Sequence, residues 1–201
     1  MKTNLLVVLM LFAGLSLSAQ TRFGLKSGVA LGSVSTNDDE IKEDGLNLGS
    51  FQFGAVFDTK LSSSLSLQSQ LLFLGKGTAV RHDDHVDKFR FAALDVPLQL
   101  IYRTKTGWFI GGGPNLGFNL SAKHIHEGEK EEIAIGDAAG EVKGFDLGLM
   151  ASGGYQSKKG VVLSVSYLKG LTQLQNAPNF DWQNNVIGLT LGYMLPARSK
   201  K

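Results

Sequence analysis

Residues 51–73 read FQFGAVFDTKLSSSLSLQSQLLF. Phe51, Phe53, Ala55 and Phe57 alternate with Gln52, Gly54, Val56 and Asp58. After a polar turn the alternation resumes, with Leu65, Leu67, Leu71 and Phe73 set against Ser66, Gln68 and Gln70. A period of two is that of a β-strand, whose successive side chains point to opposite faces. The destination of the apolar face decides the fold. Turned to a protein core it makes a soluble β-protein; turned to lipid it makes a membrane barrel.

The same pattern recurs along the chain. Six further alternating segments lie at 22–33, 93–103, 108–121, 145–156, 161–167 and 187–195, giving eight in all. Four connections are long (34–47, 76–90, 122–143 and 172–184) and three are short (59–64, 103–107 and 157–160). They alternate strictly, which is the rhythm of an antiparallel up-and-down barrel with short periplasmic turns and longer outside loops. A chain of 201 residues suits one such domain of eight strands, over 20–196, and no composition break suggests a second.

Two features turn the apolar face to lipid. The opposite face is mostly glycine, serine, glutamine and asparagine with a few charges, too small and polar for the bulky core of a soluble barrel and suited to a membrane-barrel lumen. Aromatic residues also collect at strand ends. Phe23, Phe57, Tyr102, Trp108, Tyr155 and Tyr193 fall at the short-turn end, and Phe51, Phe73, Phe118, Phe145 and Tyr167 at the long-loop end. Two girdles at two membrane interfaces follow, with no charge on the face between them. A secreted sandwich or lipocalin-like barrel would require inside and outside to be exchanged. The expected fold is therefore an all-β, eight-stranded antiparallel transmembrane barrel in an outer membrane.

Residues 1–19 have a basic start at Lys2, an unbroken apolar run from Leu5 to Ala13, and small residues at the end. They are expected to be a signal peptide cut after Ala19, with a cut after Ser18 as the alternative. Residues 197–201 form a basic tail. The chain has no cysteine, which removes disulfides, thiolate chemistry and a lipidated anchor. Its net charge of +2 gives no footprint for nucleic acid. Charge does sort by side: the long loops hold 15 acidic and eight basic residues, while the short turns and tail hold eight basic residues and no acid. An acidic outer surface can attract cations or a basic partner, although solvated loops kept soluble by charge are the plainer reading.

The fourth segment, LDVPLQLIY (94–102), resembles a strand of the PorT-like outer-membrane barrels of Bacteroidetes. WFIGGGPNLGF, FDLGLMASGGY and VSYLKGLTQL resemble the strands that follow it in that family. The resemblance covers most of 20–195. It implies an outer-membrane barrel, has no single activity attached to it, and includes one member tied to protein secretion.

Sites of chemistry are few. The glycines of GWFIGGGPNLG (107–117) lack the Lys-Ser/Thr of a phosphate-binding loop and read as inward glycines of a crowded strand. Ser27 and Ser69 are outward mid-strand hydroxyls with no histidine on their faces, so no enzyme is expected. All four histidines lie in two outside loops: His82, Asp83, Asp84 and His85 in one, His124, His126 and Glu127 in the other. Loops on one rim can converge on a metal, but loop histidines beside acids are ordinarily just solvated. Residues 124–126 with 132–135 also suit a hairpin above the barrel, turning at Gly128. No catalytic residue, cofactor site or metal site is assigned. An eight-stranded barrel is only just wide enough for side chains to fill. Lys26, Gln52, Gln68, Gln70, Asp95, Gln99, Asn115, Asn119 and Asp146 are expected to plug it, with Lys26 paired to Asp95, or failing that to Asp146. The expected role is non-enzymatic: structural, adhesive or assembly-related through the outer loops, with outer-membrane lipid and a protein at loops or periplasmic turns as partners. The alternative is an accessory subunit of a transport or secretion complex.

Overall fold

The computed structural model describes residues 21–36, 45–81, 85–126, 128–174 and 182–196. The expected signal peptide, the basic tail, His82, Asp83, Asp84 and Glu127 lie outside them. Nine strands are present: β1 (Thr21–Ser35), β2 (Gly45–Lys60), β3 (Leu65–Arg81), β4 (Val86–Arg103), β5 (Trp108–His126), β6 (Glu129–Ile133), β7 (Phe145–Gln156), β8 (Val161–Gly170) and β9 (Gln183–Met194). Every pairing between strands is antiparallel. β1 pairs with both β2 and β9, and the β4–β5 pairing joins the two halves of the sheet. Eight strands thus close into a ring with no free edge, as a spanning sheet needs when no water can satisfy an edge. β6 stands outside the ring and pairs only with the upper end of β5.

The faces point as the alternation predicts. Leu25, Phe53, Leu100, Ile110, Leu149, Val165 and Leu189 are exposed, whereas Gln52, Gln70, Asp95, Gln99 and Asn115 on the alternate parity are buried. The girdles are built from cross-strand pairs. Phe23 faces Phe57 at 5.3 Å between ring centroids and Trp108 faces Tyr155 at 5.4 Å. At the other end Phe53 stacks on Phe73 at 5.2 Å and Phe118 meets Phe145 at 5.6 Å. Each of these four pairs is a pair of register partners, so one ladder contact sets both strand register and membrane depth. The periplasmic turns close tightly: Gly107 (φ 103°) and Gly160 (φ 94°) take the left-handed conformation that a side chain resists.

Two expectations need correction. Residues 76–90 are not a long loop. β3 runs on to Arg81 and β4 begins at Val86, so a tall hairpin rises past the outer girdle. Glycines and charges in GKGTAVRHDDHVDKFR mimic a loop because solvent and lumen, not lipid, face this part of the sheet. The lumen, too, is not filled by polar groups alone. Ala30, Leu72, Leu74, Met150, Leu168 and Val186 form an apolar layer inside it. Leu72 and Leu74 sit in the run LLFLG, where both faces are apolar and the alternation fades.

Candidate functional site

The lumen is closed by charge as well as by packing. Lys76, on β3, is fully buried and holds two carboxylates: Asp95 Oδ1 at 2.9 Å and Asp146 Oδ2 at 3.2 Å. Asn115 donates to Asp95 Oδ2 at 2.8 Å, and the Thr172 hydroxyl donates to Asp146 Oδ1 at 2.7 Å. Register explains the meeting. Gly117 pairs with Asp95 on one side and Asp146 on the other, so the two acids flank a residue without a side chain. The ammonium fills that gap: a Cβ at Gly117 would lie 2.9 Å from Lys76 Nζ. Leu94, beside Asp95, pairs with both Phe73 and Phe118, which sets the triad at the depth of the outer girdle.

The expected Lys26–Asp95 pair is absent. Lys26 faces the lumen but makes no ion pair with a described residue; it borders a cavity of about 30 Å³ walled by Gln68, Gln70, Ser152, Gln156 and Thr190. The cause is that Lys76, read as a loop residue, is a lumen residue on the strand next to Asp95, two strands nearer to it than Lys26. Below the triad, Gln70 donates to Gln99 at 2.8 Å and Ser152 donates to the same oxygen at 3.3 Å. At the periplasmic mouth, buried Asp58 takes Arg22 and, at 3.4 Å, Arg103. Ser69 is buried beneath its neighbours and Ser27 is exposed, facing Phe53 and Leu191 in the register.

Above the outer girdle the sheet continues as a wall. β5 carries a bulge there: Ser121 faces Ala92 while Asn119 faces Ala93, leaving Leu120 extra. The bulge changes which parity points inward, so Asn119 is followed by Ala122, His124 and His126 on the inner face. Phe91, Ala122, Val142, Leu174 and Trp182 make a small apolar core on this face, with Val34, Phe89 and Ile133 against it. A hairpin turning at Gly128 is present as β5 and β6, but 124–126 pair with 129–131 rather than with 132–135, and residues 132 and 133 lie opposite Lys123 and Ala122. Four groups meet at the wall's upper inner face. His126 Nδ1 lies 2.7 Å from Asp87 Oδ1, His124 Nε2 3.7 Å from the same oxygen, and His85 Nε2 3.9 Å from Asp87 Oδ2. Burial pushes the Asp87 carboxyl up, but the His126 hydrogen bond and the charges of His126, His124 and His85 outweigh it, so the group sits below its ordinary value. Asp87 escaped the sequence reading because it was one of many acids in a presumed loop. Its spacing of two from His85 was the signal that both share a strand face.

A ring of eight antiparallel strands with an apolar belt, two aromatic girdles and a filled lumen defines an outer-membrane β-barrel protein. The family described as outer membrane protein beta-barrel domain matches residues 16–176, and the chain belongs to that family. Among solved structures it is similar to Ail, the attachment invasion locus protein of Yersinia pestis, in complex with the heparin analogue sucrose octasulfate. That match has 13% identity and a TM-score of 0.53, over 88% of this chain and 99% of that one. It is also similar to Neisserial surface protein A, with 11% identity and a TM-score of 0.55, over 88% and 97% of the two chains. At such identities the likeness is one of fold. No curated protein matches the chain.

Proposed function

We propose that this protein is a sealed, non-enzymatic barrel of the PorT-like kind that works through the wall standing above its outer girdle, in an adhesive, structural or assembly role. The signal peptide over 1–19 belongs to the same reading. The observation that carries it is the contrast between the two ends of the molecule. The lumen is blocked by the Lys76 triad and an apolar layer, which argues against passive diffusion, while β3, β4, β5 and β6 extend outward well past the girdle. Attachment is in keeping with the name of Ail. The sulfated ligand bound to that protein fits less well here, because the outer segments 34–47, 77–90, 122–143 and 172–184 hold 15 acids against seven bases and repel a polyanion. A basic or neutral partner suits them.

An accessory role in a transport or secretion complex is the second reading, favoured by the basic periplasmic turns with Lys105, Lys158 and Lys159. Isogenic cells with and without residues 124–131 distinguish the two. Loss of cell attachment with the barrel intact supports the first. A stoichiometric membrane partner that survives this deletion, but is lost when the three lysines are neutralised, supports the second. Finding neither effect overturns both.

A further inference from the structure

We propose that His85, Asp87 and His126, joined by His124, form a binding site for a divalent late transition-metal ion, with Zn²⁺ as its representative. One ligand atom from each of His85, Asp87 and His126 lies within 4.8 Å of the others. Tetrahedral zinc with bonds of about 2.0–2.2 Å sets its ligands roughly 3.3 Å apart. The needed closure is at most about 1.5 Å, within reach of side-chain rotation at the exposed His126 and half-buried His85.

A plain salt-bridged hairpin explains less. The hydrogen bond between His126 and Asp87 accounts for those two side chains. The approaches of His124 and His85, at 3.7 and 3.9 Å, are too long for hydrogen bonds, yet both aim a ring nitrogen at the same carboxylate. His124 is the more telling. Its Nε2 is buried and makes no hydrogen bond, while its ring lies flat on Phe89, with centroids 4.5 Å apart and planes 3° from parallel. A ring held that firmly with an unsatisfied nitrogen is pre-oriented for a ligand.

The backbone makes the convergence systematic. Residues 85, 87 and 89 share one face of β4 and its approach, residues 124 and 126 share one face of β5, and Phe89 is the register partner of His124. The Leu120 bulge is what turns those β5 positions to the same side. Three imidazoles and one carboxylate suit zinc, copper or nickel and disfavour calcium and magnesium, which take oxygen ligands. On binding, the metal replaces the proton shared by His126 Nδ1 and Asp87, and that proton leaves to solvent. The ion would tie the segment before β4 to the top of β5, where the wall has no lumen packing to hold it.

The untagged barrel, purified in detergent, is titrated with zinc chloride in competition with a chromophoric chelator, and separately with Co²⁺ for its visible absorption. The expected result is one ion per chain, d–d bands of tetrahedral intensity, and no competition from millimolar Mg²⁺. The double variant His85→Ala/His126→Ala should lose affinity by at least about tenfold, the loss that even an outer-shell partner can cause. Since these residues stand above the membrane, the barrel's heat-modifiable migration should not change and serves as the folding control. Equal zinc affinity in the wild type and the double variant overturns the site, as does a wild type that takes up no zinc in the micromolar range.

Discussion

Lys76 has no partner on its own strand; its charge is met only because register brings Asp95 and Asp146 to either side of Gly117. Lys76→Met leaves two buried carboxylates facing each other with nothing between them. Breaking a buried ion network this way costs about 3–5 kcal/mol. The triple variant Lys76→Met/Asp95→Asn/Asp146→Asn should regain most of that loss, as read from urea unfolding in lipid vesicles. A triple variant as unstable as the single one would show that packing, not charge, dominates at this position. Lys26 gives the opposite expectation. It has no acidic partner among the described residues, so Lys26→Met and Asp95→Leu should be additive within about 0.5 kcal/mol; a larger coupling energy would mean the two charges communicate. Composition showed that charges occupy the lumen, but their pairing was beyond it. The choice between Lys26 and Lys76 depends on how far β3 extends, and a glycine on each side of Lys76 hides that extension.

At the scale of strands, the lipid-spanning halves were legible because lipid imposes one rule on every outward position. Above the outer girdle that rule lapses. There the sheet faces water on one side and a small apolar core on the other, and the residues satisfying both look like loop residues. The Leu120 bulge compounds this: counted without it, His124 and His126 fall on the outer face, away from Asp87. The wall should also be separable from the barrel. The described residues of 125–131 lie at the upper end of β5 and β6, and β4 meets them only at its own start, through Lys88 opposite Ile125 and Asp87 beside His126. Replacing them with a short turn should leave the urea midpoint of the barrel close to that of the wild type while ending zinc uptake at His85 and Asp87. A collapse of barrel stability on that deletion would show that the wall is part of the folding unit rather than a platform on it.

For the whole molecule the governing contrast is between a belt that meets lipid and a lumen that meets only protein, and two arginines can test it. Leu98 lies outward on β4, midway between Leu94 at the outer girdle and Tyr102 at the inner one. Leu98→Arg puts a cation near the bilayer centre and should cost about 2–4 kcal/mol. Thr190 points inward, bonded to Ser164 at 2.7 Å, beside a cavity of about 30 Å³. That space cannot take a guanidinium, so Thr190→Arg should cost about 1–3 kcal/mol by overpacking. The totals are similar, but their origins differ, and lipid thickness separates them. In short-chain lipid the midpoint of the belt lies closer to the interface, where a charge is tolerated. The Leu98→Arg penalty should therefore shrink as the bilayer thins, while the Thr190→Arg penalty should stay constant. If the Thr190→Arg penalty tracks thickness and the Leu98→Arg penalty does not, the assignment of the two faces is inverted.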